Sequence, residues 1–249
     1  MHPVHEREGL RLTPLHGGSN GKGGAPRDRP VAETLNLLLQ RLRKRASGAS
    51  RASQLRFGVT PGREHRGVTI PQLRLLAKPH RLNPALSQAL WTCGIHEARI
   101  LAAYIGDPTR LTRAQMARWS RDFDSWDICD QVCGNLFDKN RLAESLAIEW
   151  TRRTPEFARR AGYVLMASLA VHRKDLPDRV FEGYLPVIRA GATDPRNFVR
   201  KAVNWALRQI GKRNPRLRRR AIAEARRIAR IDSPAARWIA ADALRELVR

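Results

Sequence analysis

Apolar residues along most of this chain recur at intervals of three and four. The clearest case is Val199, Ala202, Val203, Ala206, Leu207 and Ile210, which follow i, i+3, i+4, i+7, i+8 and i+11. That spacing draws one stripe down a helix that is buried on one side. Similar patterns predict helices over 31–46, 69–79, 84–93, 95–105, 112–121, 124–138, 140–152, 155–172, 177–191, 195–211, 215–230 and 234–248. No stretch reads as a run of strands. Prolines mark helix starts, each after a capping residue: Asn83-Pro84, Thr154-Pro155, Asp194-Pro195, Asn214-Pro215 and Ser233-Pro234. A helix's first N–H groups have no internal partner, so proline loses nothing there and the polar side chain before it supplies an acceptor.

These starts also repeat. Pro155, Pro195 and Pro234 stand about forty residues apart, with two helices in each interval, which is the spacing of HEAT-type repeats. The fold class expected is therefore all-α, an α-solenoid or superhelix of HEAT-like helical repeats; a compact helical bundle is the alternative. Residues 1–30 break the pattern. They hold six Gly and four Pro, including Gly17-Gly18-Ser19-Asn20-Gly21, and no helical periodicity. They are expected to be a disordered extension, because so little apolar surface cannot offset the entropy of ordering. The repeat domain is then 31–249.

Composition narrows the partner. The chain of 249 residues carries 47 Lys+Arg against 23 Asp+Glu, a net charge of +24, while 42% of its residues are hydrophobic. A chain that buries a core and stays this basic points to a polyanion. The extension accounts for five bases and three acids, so the excess belongs to the folded part. No apolar run approaches a membrane span. Three cysteines form no disulfide framework, and a cytoplasmic protein is expected.

Three helices carry candidate chemistry. On 195–211, Lys201, Trp205, Arg208 and Lys212 form a second stripe away from the apolar one, setting a tryptophan among cations. In Asp124-Ser125-Trp126-Asp127-Ile128-Cys129-Asp130, Asp124 or Ser125 can cap the helix, and Trp126 and Asp130 share a face. A carboxylate beside an aromatic ring suits a cation or a transition state gaining positive charge; equally, Asp130 pairs with one of the many arginines. On 155–172, Phe157, Ala161, Val164, Leu165 and Ser168 face inward, leaving Arg160 and Tyr163 on another side, where the arginine clamps a phosphate or is solvated. The densest charge is Lys212 to Arg230, including Arg213, and favours nucleic-acid contact.

Other chemistries fall away. His96-Glu97-Ala98-Arg99-Ile100 lacks the second histidine of a zinc-protease helix. Cys129 and Cys133 have no further ligands and read as buried thiols. No phosphate loop, nucleophile elbow, metal site or cofactor fingerprint is present.

Several longer motifs then stand out in order: Phe123 to Asp130, Arg160-Ala161-Gly162-Tyr163, Asn197 to Asn214, Gly67 to Arg74 with Ala77-Lys78, and Ala236 to Leu247. Over about 31–249 the chain resembles the AlkD-like DNA alkylation repair family. The resemblance implies a HEAT-like superhelix that hydrolyses the N-glycosidic bond of cationic N3- and N7-alkylated purines in duplex DNA, without a base-flipping pocket, without a cofactor and as a monomer. It implies that Asp130 is the catalytic carboxylate, that Trp126 and Trp205 pack on the sugar-phosphate backbone at the lesion, and that Arg160 contacts phosphate. Lys201, Arg208, Lys212 and Arg213 complete the expected DNA-binding set. Phe57 stands where the family has a tyrosine, so a hydroxyl contact is missing. The alternatives are a non-catalytic HEAT-repeat protein that binds DNA structures, and a protein-binding scaffold.

Overall fold

The computed structural model describes residues 29–248, so the expected N-terminal extension lies almost wholly outside the described residues. Within them are thirteen α-helices and no strand: α1 (Val31–Lys44), α2 (Gly48–Arg56), α3 (Ile70–Ala77), α4 (Pro84–Thr92), α5 (His96–Ile105), α6 (Arg113–Arg121), α7 (Trp126–Asn135), α8 (Ala143–Trp150), α9 (Glu156–His172), α10 (Asp178–Ala190), α11 (Asn197–Gly211), α12 (Pro215–Ala229) and α13 (Pro234–Leu247).

From α3 onward the odd helices pack side by side, α3 on α5, α5 on α7, α7 on α9, α9 on α11 and α11 on α13. The even helices lie behind them, with α4 on α5, α8 on α9 and α12 on α11 and α13. The architecture is the expected two-layer solenoid. One apolar core runs its length, and the α11 stripe from Val199 to Ile210 is wholly inside it. Stacked Trp91 and Trp119, at 4.1 Å, fasten α4 to α6, and Phe137 meets Trp150 edge-on at 5.9 Å.

Capping decides many of the boundaries. Asn83, Asn214 and Ser233 accept from the backbone N–H groups of Leu86, Leu217 and Ala236, as their sequence positions imply. Asp194 differs: α11 starts two residues later, and Asp194 accepts instead from the Arg196 backbone and guanidinium. The expected helix 124–138 stops at Asn135, because Leu136 leaves helical geometry and a short 3-10 turn follows.

One helix went unread. α2 has no buried residue, so it carries no apolar stripe; its signal is Ser47, which accepts from Ser50 N at 3.2 Å. Gly67 makes room for it. With φ +76° its missing Cβ would stand 2.4 Å from the Ser47 carbonyl. Only glycine takes that conformation without strain.

Helix α9 is buried almost all round, so the layers close tightly against it. A Cβ on Gly162 would stand 2.6 Å from Thr151 N and 2.8 Å from the Ala147 carbonyl, both backbone atoms that cannot swing away. Gly162→Ala is therefore expected to overpack the α8–α9 contact and to cost about 1–3 kcal/mol. Thermal unfolding checks it: an unchanged melting temperature would show that the helices can separate freely there.

Candidate nucleic-acid interface

The site is built where α5, α7, α9 and α11 lie abreast. At the start of α7 the Ser125 hydroxyl donates to Asp127 Oδ1 at 2.5 Å, and His96 on α5 meets Asp127 Oδ2 at 2.8 Å. Burial pushes the Asp127 carboxyl up, but the bonds from His96 and Ser125 outweigh it and hold the group below its usual value. These contacts fix the first turn of α7 and with it Trp126. The Trp126 indole N–H donates to the Phe57 carbonyl at 3.2 Å, just past the end of α2. Neither Asp124 nor Ser125 caps α7 through its side chain. Asp124 instead accepts from Gly62 N and Arg63 Nε.

One turn on, Asp130 reaches across to α9. Arg160 Nε donates to its Oδ1 and Nη2 to its Oδ2, each at 2.9 Å. Arg160 Nη1 donates to the Phe198 carbonyl on α11. Burial pushes the Asp130 carboxyl above its usual value, against the pull of Arg160. Burial likewise opposes the charge on Arg160, but Asp130 outweighs it and raises that group. The geometry of the pair fixes its charge state. Both carboxylate oxygens face N–H donors, so both must be acceptors, and the pair is ionised. A carboxylate has about four acceptor directions, so about two remain open on Asp130, whose side chain is 16% exposed.

Arg160 itself is only 5% exposed, with every guanidinium nitrogen engaged. This corrects one expectation. Arg160 and Tyr163 do not stand on an open side of α9, and three of the five Arg160 N–H groups are engaged within the protein. Arg160 positions Asp130.

Aromatic residues of α7, α9 and α11 gather nearby. Phe198 lies 5.5 Å from Phe157, and Gly58 sits between Phe198 and Trp126, close to both rings. Phe57 is 75% exposed beside them. A cavity of about 230 Å³ opens on the α5 side of Trp126, walled by Phe57, Val59, Val68, Ile70 and Ile100; Asp130 lies outside its lining.

A sequence profile for a family described as "DNA alkylation repair enzyme" matches residues 38–247, which takes in every residue of this arrangement. The chain belongs to the DNA alkylation repair enzyme family. A solved structure described as "A new family of proteins related to the HEAT-like repeat DNA glycosylases with affinity for branched DNA structures" shares its fold, with a TM-score of 0.70. Sequence identity is 18%, over 86% of this chain and 95% of that one. No curated protein sequence matches.

In this member of the DNA alkylation repair family the remaining expected residues fall on both sides of the reading. Lys201 is exposed and Trp205 half-buried on the same face of α11. Arg208 pairs with Asp242 at 3.5 Å and with Glu246 of α13, which also binds Lys212. Those two cations reach the face already partnered. Arg213 is held within the fold. Its Nη1 donates to the Ala170 carbonyl at 3.0 Å and its Nη2 to those of Arg173 and Leu176 at 2.9 and 2.8 Å, above the Phe181 ring. It caps the C-terminus of α9, where carbonyls lack partners. Sequence reading also passed over Phe198 and Trp238. The Arg200 guanidinium stacks 4.7 Å from Trp238, and the only warning was an aromatic outside its helix's apolar stripe.

Glu97, in the zinc-protease lookalike, accepts from three successive backbone N–H groups, Arg66, Gly67 and Val68. Cys129 and Cys133 are fully buried free thiols, and burial pushes Cys133 well above its usual value.

The pair at the centre predicts a stability pattern. Arg160→Gln strips a buried carboxylate of its counter-charge and is expected to cost about 3–5 kcal/mol. Adding Asp130→Asn should recover most of that loss, since no buried ion is left. Chemical denaturation of both variants checks it; equal loss in the two would show that Arg160 acts through Phe198 alone.

Proposed function

We propose that the protein is a DNA glycosylase that hydrolyses the N-glycosidic bond of cationic N3- and N7-alkylated purines in duplex DNA. The observation that carries this reading is the Asp130 carboxylate, fixed as an ion by Arg160, with acceptor directions open, on the same helix face as Trp126. The leaving base is already positive and needs little protonation. As the bond breaks, the sugar takes on oxocarbenium character, and an immobile carboxylate stabilises that charge without reorganising. Its free lone pairs orient the attacking water. Trp126 and Trp205 offer electron-rich faces to the sugar as it turns positive. Lys201 meets the phosphates directly, while Arg208 and Lys212 do so from their tethers to Glu246. Contacts of this kind set position and leave sequence unread.

The cavity beside Trp126 does not include the carboxylate, which supports chemistry without an extruded base in a pocket. No helix among the described residues is long and apolar enough to cross a membrane. The reading is of a monomer acting on alkylated duplex.

A second reading is favoured by one observation. Both oxygens of Asp130 are already engaged by Arg160, an arrangement that also suits a purely structural bridge in a protein that binds DNA without cutting it. The solved structure of similar fold is described by its affinity for branched DNA.

The deciding experiment is release of free 7-methylguanine and 3-methyladenine from methylated duplex, followed by chromatography. Release above the spontaneous rate is expected, and Asp130→Asn, in protein shown to remain folded, should lower it by about 10²–10³-fold. No release by the wild-type protein would leave the binding reading in place.

A further inference from the structure

Basic side chains on α11 and α12 face opposite ways. α11 buries Val199, Ala202, Val203, Ala206, Leu207 and Ile210 and turns Lys201 and Trp205 the other way. α12 packs behind it, burying Leu217, Ala221, Ala225 and Ile228 against its neighbours. Opposite that stripe stand Arg219, Arg226 and Arg230, at i, i+7 and i+11, all exposed. Their direction is therefore away from the face that holds Trp126, Asp130 and Trp205.

Around that row the charge is poorly compensated. Glu182 of α10 binds Arg216 at 3.1 Å and reaches Arg220 at 3.8 Å, and the buried Glu224 takes Arg227 at 2.9 Å. Among the described residues, Arg218, Arg219, Arg226 and Arg230 form no ion pair. A solvated face needs some charge for solubility, but clustered like charge on one helix is repulsive and goes unrelieved without an anion. From Arg216 to Arg230 the ridge spans about 21 Å at a rise of 1.5 Å per residue. A DNA strand presents a phosphate about every 3.4 Å, so about six lie along that length. All seven cations are arginines, whose planar forks match phosphate oxygens.

We propose that the exposed face of α12 is a second nucleic-acid backbone site, which holds one duplex segment while the Trp126–Trp205 face holds another. One straight duplex cannot serve both. The two faces are separated by two helix layers, each about 10 Å deep, and DNA is stiff over about 150 base pairs. One protein molecule therefore bridges two duplexes, or two arms of one DNA. The proposal rests on the reading above only for the first duplex; the α12 face stands on its own charge.

The test uses the full chain, unmodified duplexes of about 12 base pairs, too stiff to bend round to both faces, and sedimentation to count duplexes per protein. Wild-type protein should take two. The triple variants Arg219→Glu/Arg226→Glu/Arg230→Glu and Arg219→Gln/Arg226→Gln/Arg230→Gln should take one, and their release of 7-methylguanine from methylated duplex, measured separately, should stay at the wild-type rate. The salt slope of the second binding event should vanish with it. In the wild type, three phosphate contacts contribute about 2.7 to that slope, at about 0.9 each. Two duplexes on the glutamine variant, or one duplex on the wild type, overturns the proposal. So does a wild type that takes one duplex and binds polyglutamate through these arginines, which would make the occupant an acidic protein. Two bound duplexes without any base release would sink the glycosylase reading and leave this one standing.

Discussion

The ion pair between Asp130 and Arg160 is the constraint on which the rest of this site depends. It joins α7 to α9 through two hydrogen bonds at 2.9 Å, and the third nitrogen of the same guanidinium carries the connection on to α11. Three repeats are thus held in register by one side chain. Apolar packing holds these helices together but tolerates sliding by a fraction of a turn. A planar fork with three directed donors does not. The same pair keeps a carboxylate ionised where burial alone would neutralise it. Position and charge of Asp130 are set by one partner.

Polar bridges of this kind recur along the odd layer. His96 binds Asp127 between α5 and α7, and Asn204 and Arg208 bind Asp242 and Glu246 between α11 and α13. In each case the chain spends an acid, of which it has few, to anchor a side chain beside the open face. The bridges explain why a protein with twice as many bases as acids shows so few free cations around Trp205. Acids are concentrated where geometry must be exact to an ångström, and are nearly missing from the outer face of α12. The charge asymmetry is therefore a difference between a site that is built and a surface that is sticky.

The helices, three of the five proline-marked caps and the repeat period were legible in the sequence because each is a local matter; Thr154 and Asp194 cap nothing through their side chains. The α11 stripe, Asn83, Asn214 and Ser233 are read within a turn or two of the chain. α2 was not, since it buries nothing and so leaves no periodic trace. Trp126 and Asp130 could be placed on one face by counting, but the partner of Asp130 lies thirty residues on, among forty arginines, and no periodicity selects it. The internal contacts of Arg213 were hidden for a related reason. Its charge looks the same in a sequence whether it meets phosphates or the ends of its own helix. The segment from Lys212 to Arg230 was one basic run on paper; folding divides it, turning Lys212 toward the site, Arg213 inward and α12 away.

That division also bears on why the repeat architecture suits the chemistry. A carboxylate that stabilises a developing cation must stay ionised, partly dry and immobile at once. In a fold with a single closed core those demands conflict, because dryness comes with depth and depth excludes a duplex. A two-layer solenoid separates them. Asp130 is held against α9 by Arg160 with only 16% of its side chain exposed, on a layer of odd helices that lie side by side. Water is excluded locally by side chains, and the bulk of the duplex never has to leave solvent. Under the proposed glycosylase reading, an intact double helix brings a damaged base to a fixed charge without the protein closing over it, and the α12 arginines on the far side stay clear of that duplex.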